Sequence, residues 1–128
     1  MRALLDTHAL LWAVLDPDSL GRRAAAVIAD DTNVVAVSAA SAWEIATKVR
    51  IGKLPDAADV EREFFQVIDE AGYVLLSIDP SDALRAGRLD GDHRDPFDRM
   101  IAAQAIARDI PVLSNDTRLD AFGVRRLW

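Results

Sequence analysis

Ala3-Leu4-Leu5-Asp6-Thr7-His8-Ala9-Leu10-Leu11-Trp12-Ala13-Val14-Leu15 decides how the rest of the chain is read. Three apolar residues stop on a carboxylate, and an apolar helical pattern starts at once at Thr7 and runs to Leu15. A short apolar run feeding directly into a helix predicts a strand buried on both faces, the opening unit of a parallel sheet. The alternation recurs downstream. Val34–Val37 is β-branched apart from one alanine, and Ser38 is a good N-cap for a helix through Val49, with Trp43, Ala46 and Val49 at core spacing. Ser19 is the expected cap of a helix holding Ala24–Ala29, and Asp56 or Asp59 starts one carrying Val60, Phe64, Val67 and Ile68 on one stripe. Gly52 and Pro55 end the Ser38 helix, and Gly72 closes the Phe64 stripe. Tyr73–Ser77 reads as a buried strand, Ser81–Leu89 as a short helix, Asp90–Asp95 as a polar loop, and Pro96–Arg108 as a helix with proline in its first turn. Val112-Leu113 is a fourth strand, ending in Ser114-Asn115-Asp116, and a last strand covers about Val124–Leu127. Strands separated by helices imply an α/β fold, a parallel sheet covered on both faces.

At 128 residues the chain has the length of one domain, expected to span residues 1–128, and shows no repeat or linker. Apolar residues make up 51%, which excludes a disordered chain. The longest unbroken apolar run, Ala9–Leu15, is seven residues, and a membrane span needs about 20. Met1-Arg2 opens no signal peptide pattern, so a cytoplasmic protein is expected. With no cysteine, disulfides, thiol nucleophiles and cysteine metal sites are excluded, and two histidines, His8 and His93, make a histidine-rich zinc site an unpromising reading. Acids outnumber bases 21 to 15, for a net charge of −6. That argues against a protein that coats nucleic acid generally, though not against a local site for it.

In an open parallel sheet, ligands bind beyond the carboxyl ends of the strands. Asp6 follows the first strand directly, Asp116 comes three residues after Leu113, Glu44 lies in the helix capped by Ser38, and Asp95 and Asp98 open the helix before the fourth strand. Each has a simpler reading as well. Asp6 and Asp95 suit N-caps, Asp98 suits the third helical position, Ser38 is a cap before it is a catalyst, Glu44 suits a solvent-facing position, and Asp116 suits a turn. The functional case rests on the set. Gathered carboxylates raise one another's pKa and oppose full ionisation, and a divalent cation removes that repulsion. All-oxygen ligation suits Mg²⁺ or Mn²⁺, ions used mainly in phosphoryl chemistry. No phosphate-binding glycine loop and no G-x-S-x-G element occurs.

Four segments together resemble the signature blocks of PIN-domain ribonucleases, most closely the VapC toxins of toxin–antitoxin pairs. They are Leu4–Trp12 (Leu-Leu-Asp-Thr-His-Ala-Leu-Leu-Trp), Ser38–Ile45 (Ser-Ala-Ala-Ser-Ala-Trp-Glu-Ile), Asp95–Ala105 (Asp-Pro-Phe-Asp-Arg-Met-Ile-Ala-Ala-Gln-Ala) and Ser114-Asn115-Asp116. The resemblance implies a three-layer α/β/α domain whose five-stranded parallel sheet has the order 3-2-1-4-5, with the first and fourth strands adjacent. It implies a metal and catalytic site of Asp6, Glu44, Asp98 and Asp116 that binds Mg²⁺ or Mn²⁺ and hydrolyses RNA. Ser38, Ser41 and Ser114 are expected to orient carboxylates or waters, and Arg99 to contact RNA. Lys48, Arg50, Lys53, Arg88 and Arg94 are further candidates for phosphate contacts. The resemblance also implies a cognate antitoxin and a homodimer. Two uses of the same fold stay open: a nuclease for RNA maturation and an inactive RNA- or protein-binding module. A phosphoacceptor receiver domain is excluded by its need for a late lysine, since the only lysines are Lys48 and Lys53.

Overall fold

The computed structural model describes all 128 residues, Met1–Trp128. Its centre is a parallel sheet of five strands: β1 (Arg2–Leu5), β2 (Val34–Ser38), β3 (Val74–Leu76), β4 (Val112–Leu113) and β5 (Arg126–Leu127). Their order across the sheet is β3-β2-β1-β4-β5, as the resemblance implies. The chain builds outward from β1 through β2 to β3, then crosses back to lay β4 on the other side of β1. The switch point of the sheet therefore lies between β1 and β4, where a crevice opens at the carboxyl ends. Register fixes what lines it. Leu5 stands opposite both Val37 and Leu113, so the next residues along, Asp6, Ser38 and Ser114, leave the sheet at one level.

Alternate residues of the central strands feed two cores, as a pleat of period two requires. Ala3, Leu5, Val35, Val37 and Leu113 pack with Leu10 of α1 (Thr7–Leu15), Ala24 of α2 (Arg22–Ala29), Ile45 of α3 (Ala39–Arg50), Val60 of α4 (Ala58–Arg62), and Phe64 and Ile68 of α5 (Phe64–Ala71). Leu4, Ala36 and Val112 face the other way, onto Ile101, Ala102 and Ala105 of α7 (Pro96–Arg108). Residues 101–105 of α7 are all buried, and three of the five are alanines, which lets the helix lie close to the sheet. α6 (Pro80–Arg88) covers α7 from outside and is bound to it by Asp82, which accepts from Arg108 at 3.0 and 3.2 Å and from Gln104 at 3.1 Å.

Several sequence expectations shift. β3 is an edge strand, with Val74 and Leu75 exposed, rather than a buried one; its run Val74-Leu75-Leu76 is as apolar as β2, and only its place at the end of the sheet distinguishes it. Trp43 and Ala46 face solvent, and the core face of α3 is carried by Ala40, Ser41, Glu44 and Ile45. The stripe from Val60 to Ile68 is broken at Glu63 into α4 and α5, preceded by a 3₁₀ turn over Pro55–Ala57. Ser19 donates to Asp16 inside a 3₁₀ turn, and Gly21 is the N-cap of α2 instead. A side chain at position 21 would meet the backbone carbon of Trp128 at 2.5 Å, so the close pass of the C-terminus requires glycine there. α6 starts one residue early, at Pro80, because Asp79 and Asp82 form a reciprocal capping box.

Candidate active site

The site is assembled by three helix starts and one 3₁₀ turn, each set by a capping residue. Asp6 caps α1 and accepts the Ala9 N–H at 2.7 Å. Ser38 caps α3 through the Ala40 N–H, which points α3 so that Glu44 reaches inward. Asp95 caps α7, accepting from the Phe97 and Asp98 N–H groups at 2.9 and 3.0 Å, and Asp98 stands in the first turn with its carboxylate against His93. Asp116 caps the turn Thr117–Phe122 through the Arg118 N–H. The capping readings are thus correct for Asp6, Ser38, Asp95 and Asp116. They do not compete with a site, because the capping carboxylates of Asp6, Asp95 and Asp116 line the cleft as well.

Asp6, Glu44, Asp98 and Asp116 line one cleft of about 400 Å³, together with Asp95, Lys48 and Arg118. Asp6 is buried, and burial pushes its carboxyl up to about 6 from the ordinary 3.8, against the opposing pull of the Ser114 hydroxyl and the Ala9 N–H. Asp98 is raised too, by burial, and the Asp95 and Glu44 carboxylates add to the effect while His93 opposes it. Asp116 is lowered, because the Arg118 guanidinium pairs with both its oxygens. Glu44 is 3% exposed, which corrects the solvent-facing reading. One of its oxygens meets Lys48 across a helical turn, and the other, Oε1, is buried with no hydrogen-bond partner. A buried carboxylate oxygen left unpaired costs about 1–3 kcal/mol or more, so it marks a position where a cation would fit. Oxygen donors from four carboxylates, two of them raised in pKa, suit a hard divalent ion.

The four carboxylates are not equally close. The tightest cluster of ligand atoms is His93, Asp98 and Asp116, whose atoms lie within 4.8 Å of one another. His93 escapes the sequence reading, which weighs the histidines for zinc and for a serine triad but not for this site; the available signal is its place in the polar loop five residues before Asp98. Ser41 is buried and shares a hydrogen bond with Thr7 at 3.0 Å, tying α3 to α1. Ser114 accepts the Asp116 N–H at 3.0 Å and stands by Asp6, so it braces two of the carboxylates. Arg99 is a correction. Its guanidinium donates to the carbonyls of Ala86, Leu89, Gly91 and His93 and lies 5.3 Å over the Phe122 ring. With its donors used this way, it holds the loop before α7 and is absent from the cleft lining. Of the other basic candidates, Lys48 lines the cleft, while Arg50, Lys53, Arg88 and Arg94 are exposed outside it.

Comparison with known proteins agrees with this architecture. Among solved structures, the fold matches VapBC2 from Rickettsia felis, solved bound to a DNA fragment from its promoter, with a TM-score of 0.70 and 14% identity over 99% of this chain and 98% of the other. It also matches FitAcB from Neisseria gonorrhoeae, with a TM-score of 0.65 and 22% identity over 98% and 96%. At these identities the likeness is one of fold. A search of curated proteins by sequence finds no match. The family model for the PIN domain matches residues 3–124, nearly the whole length. With the sheet order, the acidic crevice and that match in agreement, the chain belongs to the PIN domain family.

Proposed function

We propose that this chain is a Mg²⁺- or Mn²⁺-dependent endoribonuclease of the VapC type, held in check by a cognate antitoxin. The observation that carries the proposal is the meeting of Asp6, Glu44, Asp98 and Asp116 in one cleft at the switch point, with Glu44 Oε1 buried and unpaired. In this reading those four carboxylates hold the cation. When bound, such an ion supplies charge neutralisation and Lewis acidity toward a phosphodiester. The remaining work falls to the chain. Ser114 braces Asp6 and the backbone of Asp116, and Lys48 compensates one oxygen of Glu44. Arg118, two-thirds exposed at the cleft, exchanges its carboxylate partner for a substrate phosphate, since a guanidinium suits either.

The partner assignments rest on surfaces. A groove of about 540 Å³ lined by Leu11, Trp12, Leu15, Leu54 and Pro55 shares His8 and Trp12 with the acidic cleft. A helical antitoxin segment laid there would place its continuation over the carboxylates. Exposed Phe65, Trp43 and Leu84 support the homodimer the resemblance implies. No helix is long and apolar enough to cross a membrane.

The test uses purified chain free of antitoxin and a labelled single-stranded RNA. Cleavage is expected with Mg²⁺ or Mn²⁺ and is expected to stop with EDTA. Asp98→Asn is expected to lose at least about a hundredfold in rate, the scale of a removed charge stabiliser, with an unchanged circular dichroism spectrum. Cleavage by Asp98→Asn at the wild-type rate overturns the site. Metal and RNA binding without cleavage by the wild type would instead favour an inactive binding module.

A further inference from the structure

His93 is not one of the four acidic positions, yet its ring is hydrogen-bonded to the Asp98 carboxylate. Its Nε2 lies 2.7 Å from Asp98 Oδ2. One His93 ring nitrogen, one Asp98 oxygen and one Asp116 oxygen lie within 4.8 Å of one another. Neighbouring ligands of an octahedral ion at about 2.1 Å stand about 3 Å apart, and opposite ones about 4.2 Å apart. The three atoms therefore span distances that one coordination shell covers with shifts of a few tenths of an ångström.

The ring is fixed there by the fold. The His93 side chain is 10% exposed and its ring sits 6.1 Å from that of Phe122. Its carbonyl accepts from Arg99 at 3.0 Å, and the same guanidinium holds the carbonyls of Leu89 and Gly91. The segment before α7 is thus clamped to α7, which holds the imidazole against the Asp98 carboxylate. An independent sign that the cleft takes a cation is the buried, unpaired Oε1 of Glu44.

We propose that His93 is a direct metal ligand through Nε2, forming with Asp98 and Asp116 a position of mixed nitrogen and oxygen donors. This rests on the cation site proposed above and changes its character. Carboxylates alone suit Mg²⁺, whereas an imidazole favours first-row transition ions, so this position prefers Mn²⁺ to Mg²⁺. Asp6 and Glu44, outside the tight group, share the cleft with Asp98 and lie close enough to act on its charge or feel it. Asp98 then links an all-oxygen part of the cleft to a mixed one.

The probe is Mn²⁺ alone, added at one equivalent to the full chain after EDTA stripping and dialysis, and read by pulsed electron paramagnetic resonance. The wild type is expected to show nitrogen coupling to Mn²⁺ that changes isotope on labelling with ¹⁵N-histidine. The coupling is expected to vanish in His93→Gln and to persist in His8→Gln, which controls for the other histidine at the cleft. Replacing His93 is expected to weaken Mn²⁺ binding about tenfold or more while leaving Mg²⁺ binding within about twofold. Bound Mn²⁺ without histidine coupling in the wild type overturns the proposal and leaves His93 as a hydrogen-bond partner of Asp98, with the carboxylate site standing. No Mn²⁺ binding at all overturns the carboxylate site as well. Because His8→Gln leaves His93 as the chain's one histidine, coupling in that labelled variant decides the question even if a His93→Gln variant fails to fold.

Discussion

Asp6 carries two demands that pull against each other. As the cap of α1 it must offer an oxygen to the Ala9 N–H, and as a member of the cleft it must sit buried among other acids. Its carboxyl is therefore raised to about 6 by burial, while an unfolded chain would titrate it near 3.8. Between those values the folded chain keeps a proton that the unfolded chain has released, so stability falls as pH rises through the window. A shift of about two units is worth about 3 kcal/mol. Asp6→Asn keeps the cap and removes the charge. In EDTA at pH 7.5 it should melt several degrees above the wild type, and the difference should vanish near pH 4, where both side chains are neutral. A thermal melt at the two pH values checks this. Saturating Mn²⁺ should reverse the order, because the wild type gains a ligand that the variant lacks.

The same scale shows what the sequence could carry. Asp6, Ser38 and Asp116 were legible because a polar residue between a strand-like run and a helical pattern has few other uses, and Asp95 because it stands just before a proline that opens a helix. Trp43 was misread, and so was Glu44 in its simpler, solvent-facing reading, although the proposed site already included it. Helical spacing alone assigned the indole to the core and the carboxylate to water, and the fold does the reverse. Burial of Glu44 reflects the crevice formed by distant strands, which no local pattern records. Arg99 was misplaced for a similar reason: adjacency to Asp98 in sequence puts it about 100° further around the helix, toward the loop carbonyls.

At the scale of elements, the positions of Asp95 and Asp98 depend on α7, and α7 is held from outside by α6. The bond between them is Asp82, which is 3% exposed. Burial pushes its carboxyl up, but the Arg108 guanidinium, the Gln104 amide and the Asp79 N–H outweigh this and keep it below the usual carboxylate range. Asp82→Ala breaks the capping box and leaves Arg108 without its partner, at a cost of about 3 kcal/mol. Chemical denaturation should show that loss. Proteolysis should open α6 before the rest, since only its inner face is packed. Strand and helix types were legible along nearly the whole chain, because the elements announce themselves by period. Boundaries moved where a second signal intervened, as at Asp79, where a capping pair overrode the serine at 81. The exposure of β3 was not legible, because edge and centre strands differ in neighbours rather than in composition.

Across the whole molecule, the sheet order brings residues 6, 44, 98 and 116 to one crevice, and it reached the sequence reading through family resemblance rather than through periodicity. The net charge of −6 takes on a different meaning in that light. Five of the acids, the four site carboxylates and Asp95, share one cleft, so one divalent ion would bring the charge to −4, and the cleft without it would repel RNA. Substrate binding should then require the ion as well as catalysis does. Titrating Mn²⁺ into EDTA-stripped chain at pH 7.5, with heat as the readout, tests the claim on which the rest depends. Saturable binding is expected in the wild type, and its loss is expected in Asp98→Asn with the fold intact. Absence of saturable binding in the wild type, or equal binding by Asp98→Asn, would contradict the account.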